Sequence, residues 1–479
     1  MIRFLRGIAW LVLGAAAVVL VRALNPFGGR PDPAAPDTPE QATRAGPSRT
    51  EAAAAPSRPG SPEASAPEPS ARRPRRWMRL IVLGLVVAVA AATLTGALVA
   101  RGDFDSGTVE GSGDAFLAAA APGAAPASDW PQYGLDRGRT RSVLQSDIAP
   151  PFDDLWEYDA GSLLEFPPVI DDGALYVGTN RGLAISLDIA TGAERWRVRL
   201  GGRMASSPAV VDDLVLFATL AGDLIALRTD DGARAWTLPL GAPSESSPLV
   251  VDGTIFVGTL AGRVLSIDLE TREINWQAQA TGDVKSSLAV ARETVVVGDY
   301  AGRVRAGRVD DGELAWRTES PGTLLRGAGR FYAGPAVAYG QVFIGNINGR
   351  VIALSARTGE IAWVRVLDDF VYSSASIAEE SVFVGSYDNG LYALDAETGR
   401  VKWRHDAGER ISGSPTVIGD LVYASTIAEV PSEGRTFALD RATGEEVWSH
   451  PDGRYSPAVS SDDLLIITGV RTLYGFRPR

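Results

Sequence analysis

The sequence predicts an all-β protein, an eight-bladed β-propeller of four antiparallel strands per blade, carried behind an amino-terminal membrane segment. Three observations point there. Tryptophan recurs as Trp156, Trp196, Trp236, Trp276, Trp316, Trp363, Trp403 and Trp448, with spacings of 40, 40, 40, 40, 47, 40 and 45. Ahead of most of these stand four short β runs divided by Gly and Asp turns, as in SPLVVDGTIFVGTLAGRVLSIDLETREINW (247–276). Four strands in a unit of about 40–45 residues is the arithmetic of a propeller blade. Finally, the last copy ends without a tryptophan, while the first tryptophan, in DLWEYDAGS, has no strands before it. Each lacks what the other has, so the strand of Trp156 should complete the last blade and close the ring, which removes open sheet edges.

Within a copy, the SPAV-type residues read as strand A, the VFVG-type as B, the LYALD-type as C and the tryptophan segment as D. The runs are too short, too β-branched and too often broken by Gly to be helices. Strand-A segments are marked by Pro168, Pro208, Pro248, Leu288, Pro335, Ala375, Pro415 and Pro457, eight in all. An indole on each outermost strand should pack between neighbouring blades and bury a large apolar area.

Upstream, composition changes. Residues 80–100 (LIVLGLVVAVAAATLTGALVA) carry no charge and are long enough to span a bilayer as a helix. ARRPRRWMR precedes them, so by the positive-inside rule everything after Arg101 lies outside the cytoplasm. The length of the run favours a retained anchor over a cleaved signal. The expected location is the cytoplasmic (inner) membrane, with the propeller outside. Residues 1–24 hold a shorter apolar run that suits a short span, an interfacial helix or a translation-start artefact. Residues 25–79 are a Pro/Ala/Arg-rich linker that cannot bury enough apolar surface to order itself. Residues 101–128 are a Gly/Ala/Ser-rich tether. The propeller occupies 129–479.

The formal net charge is −12, and the arginine-rich first 129 residues contribute none of the deficit. An acidic globular part argues against nucleic-acid binding. There is no cysteine, which removes disulfides, thiolate catalysis and Cys-based metal sites. Only His405 and His450 exist, at equivalent positions on different blades, so they do not converge on one substrate. No Ser-His-Asp set, phosphate loop or H-E-x-x-H is found. Neither a metal site nor a cofactor is expected.

DIATGAERW (188–196), DAETGRVKW (395–403) and DRATGEEVW (440–448) resemble the tryptophan-docking motif of the PQQ-type propeller repeat superfamily. DWPQYGLDRGRT (129–140) is similar to the segment that often opens such propellers. The resemblance covers about residues 129–479 and implies the fold. Two branches compete on function: quinoprotein dehydrogenases that use PQQ and calcium, and BamB-like proteins, non-catalytic scaffolds of outer-membrane protein assembly. This chain departs from the first in lacking paired cysteines, long roofing insertions and matching ligand contexts. It departs from the second in having no cysteine to lipidate.

Alternation of antiparallel strands puts A–B and C–D turns on one face and B–C and D–A loops on the other. The first face gathers Asp171, Asp172, Asp212, Asp252, Glu379 and Asp462, for which turn geometry is a sufficient reason. The second supplies Arg263, Arg303 and Arg350 from B–C turns. Both enlarged loops fall there too: 320–335, with Arg326, Arg330, Phe331 and Tyr332, and 426–435. Arg and aromatic residues together are enriched at interface anchors. The expected function is therefore a membrane-anchored, extracytoplasmic scaffold that catalyses nothing. Its partners would be envelope or unfolded proteins, or other acidic or extended ligands. A PQQ/Ca-dependent dehydrogenase and an extracellular sensor domain are the alternatives.

Overall fold

A computed structural model describes residues 109–110, 116–117, 129–322, 328–430, 433–455 and 458–479. The two apolar runs, the 25–79 linker, most of the tether and Arg326 lie outside the described residues. Among those described there is no α-helix.

Each repeat folds as its β pattern dictates. In blade 1, Val169–Asp171, Ala174–Gly178, Leu183–Asp188 and Glu194–Arg199 pair antiparallel in chain order. The same order recurs six more times, to give blades 2 to 7. The A–B connections are two-residue hairpins whose first central residue takes positive φ, such as Asp172 at 45° and Asp252 at 48°. Small polar residues tolerate that conformation, so turn geometry accounts for much of the acidity of this face. The pairing of strand D slips by one residue just before the tryptophan in every blade, as at Ser186/Leu187 in blade 1. A bulge there re-aims the indole.

Every described core cluster lies between two blades. The indoles seal these seams. Trp196 donates its Nε1–H to the Thr229 carbonyl of blade 2 at 3.0 Å, and Trp363 to Ala396 of blade 6 at 2.9 Å. Trp156, Trp276, Trp316 and Trp403 do the same with Ile189, Val309, Ala356 and Arg441. Trp236 packs in the blade 2–3 cluster. Trp448 meets Phe152 and Phe476 of blade 8 edge-on, with centroids 5.3 and 5.7 Å away.

Blade 8 closes as expected. Its first three strands are Ala458–Ser461, Leu464–Thr468 and Thr472–Pro478; its fourth is Phe152–Asp159, with Trp156 opposite Gly475. A second ring lies inside the first. Residues 129–143 run round the inner edge of the blades and accept the central strand-A N–H of one blade after another. Ile170, Val210, Val290, Val337, Ile377 and Val417 donate to the carbonyls of Trp130, Pro131, Arg137, Gly138, Thr140 and Arg141 at 2.7–2.9 Å. Val250 donates to Gln132 Oε1 at 3.1 Å. Inner-strand amides that no neighbouring strand reaches are thereby satisfied in seven blades.

A third lacing uses hydroxyls. The backbone N–H groups of Ser207, Ser247, Gly334 and Ser374 donate to Oγ of Ser247, Ser287, Ser374 and Ser414 in the next blade, at 2.9–3.3 Å.

Candidate interaction face

The loops from strand D to the next strand A carry equivalent residues to the mouth of the central channel. Three residues ahead of the strand-A marker stand Glu165, Glu245, Lys285, Tyr332, Tyr372 and Arg454. Lys285 Nζ lies 3.4 Å from Glu245 of the preceding blade. Burial pushes the Glu165 carboxyl above its usual range; Glu245 adds to this, and the Asn180 hydrogen bond, Arg203 and Arg454 act against it. Burial likewise raises the Tyr332 hydroxyl well above its ordinary value, with Glu165 and Glu245 contributing from across the ring. Groups from blades 1, 3, 5 and 8 thus lie near enough across the mouth to act on one another's charge.

Its blade 4–6 side is an aromatic arc. Tyr332 stands 6.5 Å from Tyr300 and 5.4 Å from Tyr372; Tyr372 stands 5.9 Å from Phe370 and 4.9 Å from Tyr387. Three cations lie over its ends: Lys285 and Arg330 at 5.1 and 5.9 Å from Tyr300, and Arg410 at 5.7 Å from Tyr387. Such pairs present flat apolar area with charge at its edge.

From the other end the channel is stopped by the inner segment. Arg139, 1% exposed, donates to the carbonyls of Leu288 (2.9 Å), Ser247 and Pro248 (both 3.2 Å), and Tyr133. Burial lowers its pKa to about 9, so it stays a cation at neutral pH. Arg141 lies over the Tyr133 ring at 4.1 Å. The cavity left beside them, lined by Trp130, Tyr133, Arg141, Pro167 and Ser414, measures about 10 Å³, space for one water at most.

The residues singled out by sequence separate into three groups. Arg330, exposed, and Tyr332, half-buried, belong to the mouth. Arg263, Arg303 and Arg350 start the C strands of blades 3, 4 and 5, outside it. Arg263 donates to the Leu240 carbonyl at 2.7 Å, Arg303 lines a shallow cavity with Asp299 and Arg317, and Arg350 is buried. Phe331 is fully buried against Gly298 in the blade 4–5 core, and so is not a contact residue for a partner. The arginines that the sequence places on this face do not make it basic. Glu165, Glu245, Asp283, Asp368, Asp369 and Asp452 stand in the same loops, so the charge is mixed. Sequence reasoning missed Tyr300, Phe370, Tyr372, Tyr387 and Arg410; tyrosines at equivalent positions 332 and 372 were the available signal.

A quinone–calcium pair does not fit this donor set. Among the described residues no three His, Cys, Asp or Glu side chains stand close enough to share a metal ion. Of the acids in these loops, Glu245 already faces Lys285, and Glu165 lies near Arg203 and Arg454.

A closed ring of eight four-stranded blades, with indoles sealing the seams and six of them stacked on the glycine of the next blade's C–D turn, defines a PQQ-type propeller. The family model for the outer membrane protein assembly factor BamB matches residues 147–247, 211–371 and 325–465, and the chain belongs to that family. No curated relative matches it by sequence. Solved structures of similar fold include the quinohemoprotein alcohol dehydrogenase from Comamonas testosteroni, with 15% identity, a TM-score of 0.64, and coverage of 74% of this chain and 81% of that one. BamB from Moraxella catarrhalis gives 16%, 0.58, 68% and 99%. A europium-containing methanol dehydrogenase gives 13%, 0.62, 74% and 98%. At such identities the likeness is one of fold alone.

Proposed function

We propose that the protein is a non-catalytic scaffold of the cell envelope, held by residues 80–100 in the cytoplasmic membrane, that engages extended segments of other envelope or unfolded proteins at the channel mouth. The observation that carries this reading is the arc of Tyr300, Tyr332, Phe370, Tyr372 and Tyr387 under Lys285, Arg330 and Arg410. Rigid aromatics flanked by arginine are anchor residues of interfaces. Family membership supports it, and so does the mismatch between the mouth carboxylates and a metal-bound quinone.

The test is site-specific photocrosslinking of the full chain in its own membranes. A photoreactive residue at Tyr300 or Tyr387 should give the same adduct. One at Asp310, on the opposite face, should give none. Arg330→Glu with Arg410→Glu should reduce the adduct about tenfold. Adducts of equal yield from Asp310 would refute the assignment. The dehydrogenase alternative has its own check: purified protein mixed with PQQ and Ca²⁺ should retain no chromophore and reduce no dye, and retention of either activity would favour it instead.

A further inference from the structure

Blade 5 departs from the other blades at its outer edge. The residue after the blade tryptophan is Glu157, Arg197, Thr237, Gln277, Arg317, Arg404 or Ser449 in the others, exposed in each case; in blade 5 it is Val364, which is buried. The A–B turn departs too. Every other blade has at least one acid there, and blade 5 has Tyr339-Gly340. Polar and charged side chains guard an open strand edge against pairing, and blade 5 lacks that guard at both places. A strand is in fact added here. Val109–Glu110 pairs antiparallel with strand D, Val109 opposite Val364 and Glu110 opposite Trp363. Leu117 donates its N–H to the Tyr339 carbonyl at 3.0 Å, and the Phe116 ring lies 4.8 Å from that of Tyr339. Gly340 makes the room: a Cβ there would stand 2.9 Å from Leu117 Cδ1.

The segment that covers this edge is a poor strand former. A third of SGTVEGSGDAFL (106–117) is Gly or Asp, which strands disfavour. An edge that accepts such a segment accepts a better one more tightly. We infer that the outer edge of blade 5 is a second interaction surface: it takes an extended segment of another protein, rich in β-branched and aromatic residues, and residues 109–117 are its autoinhibitory cover. The incoming main chain takes over the ladder, an apolar side chain stands opposite Val364, and an aromatic ring replaces Phe116 on Tyr339. Because the cover belongs to the same chain, it competes at high effective concentration. Only a segment that pairs better than the tether enters, which selects long β-forming stretches and rejects Gly-rich ones. The site lies on the outer wall, apart from the channel mouth, and does not depend on the reading of the mouth.

Two dye-labelled peptides test this on the full chain in mild detergent: KTVTVTFK, which alternates and carries an aromatic, and KTVTPTFK, whose proline breaks the ladder. Fluorescence anisotropy reads the affinity. Val109→Pro with Glu110→Pro and Phe116→Ala removes the cover, and KTVTVTFK should then bind at least about tenfold more tightly than to the unaltered chain, since the open edge is no longer a minor state. Phe116→Ala alone, which leaves the strand in place, should give part of that gain. Val364→Arg in the uncovered chain supplies the residue that blades 1, 4 and 6 carry at this position, and should cancel the gain. A photoreactive group on the central valine should form its adduct within residues 361–366. KTVTPTFK should bind neither chain. Equal affinity of KTVTVTFK for covered and uncovered chains overturns the autoinhibitory role. Adducts elsewhere, the mouth included, or equal binding of the two peptides, overturn the strand site itself.

Discussion

Arg139 shows how much one side chain ties together. Its guanidinium reaches carbonyls of the loops entering blades 3 and 4 and one on its own segment. Methionine would keep the volume and leave those acceptors buried without donors. Arg139→Met should lower unfolding stability by about 4 kcal/mol in urea titration. Arg137→Met, on the same segment but with an exposed side chain, should cost under about 1 kcal/mol. Glu165 tests the opposite situation. Its raised pKa means the folded state disfavours the carboxylate. The sign follows: the penalty is absent below the ordinary carboxylate pKa, grows as pH rises above it, and is full only above the raised value. Glu165→Gln should therefore shift the urea midpoint upward at pH 7 and leave it unchanged near pH 4. A destabilised variant at pH 7 would mean that the mouth needs the charge for its own folding.

The blade seam is where sequence and structure speak most directly to each other. The Thr-Gly turn was legible because its glycine has a fixed task. Gly399 sits at φ 67°, and a Cβ there would fall 2.6 Å from the Trp363 ring. Gly399→Ala should cost about 3 kcal/mol, from overlap and left-handed strain together. Blade 3 breaks the pattern with TREINW: Arg272 holds the same place at φ 64°. Arg272→Gly should then gain about 1 kcal/mol in the same titration. Both changes are read from urea midpoints at constant slope. Blade count, strand order and closure could be read because each rests on a residue repeated in register. The seryl lacing repeats too, as Ser207, Ser247 and Ser287, yet a serine next to a turn has many local uses, so spacing alone did not announce it. The mouth was harder still. Phe331 and Tyr332 are neighbours in one enlarged loop, and only the fold sends one into the core and the other into the channel.

The ring as a whole is closed by two segments that precede blade 1, in two different ways, and these are separable. Phe152–Asp159 supplies the fourth strand of blade 8 and closes the circle from outside. Residues 129–143 close it from inside, amide by amide. Little in the composition of DWPQYGLDRGRTRSV marks it as a belt, because six of its seven bonds to strand A use backbone carbonyls, which any sequence supplies, and only Val250 is met by a side chain, that of Gln132. Removing each closure should fail differently. Without 152–159, blade 8 exposes a strand edge and the Trp448–Phe152 contact is lost, so the chain should aggregate on purification. Without 129–143 the eight blades remain paired, but the channel loses Arg139 and its inner amides lose their acceptors. Hydrogen exchange should report this by position. In the full chain, the amides of Ile170, Val210, Val290, Val337, Ile377 and Val417 should be among the slowest of their blades. In the 129–143 deletion they should exchange at least about a hundredfold faster, since an opening that cost the belt's bonds becomes free. Strand-C amides, bonded on both sides within each blade, should keep their protection. Uniform acceleration of every blade would show instead that the belt and the ring unfold as one unit.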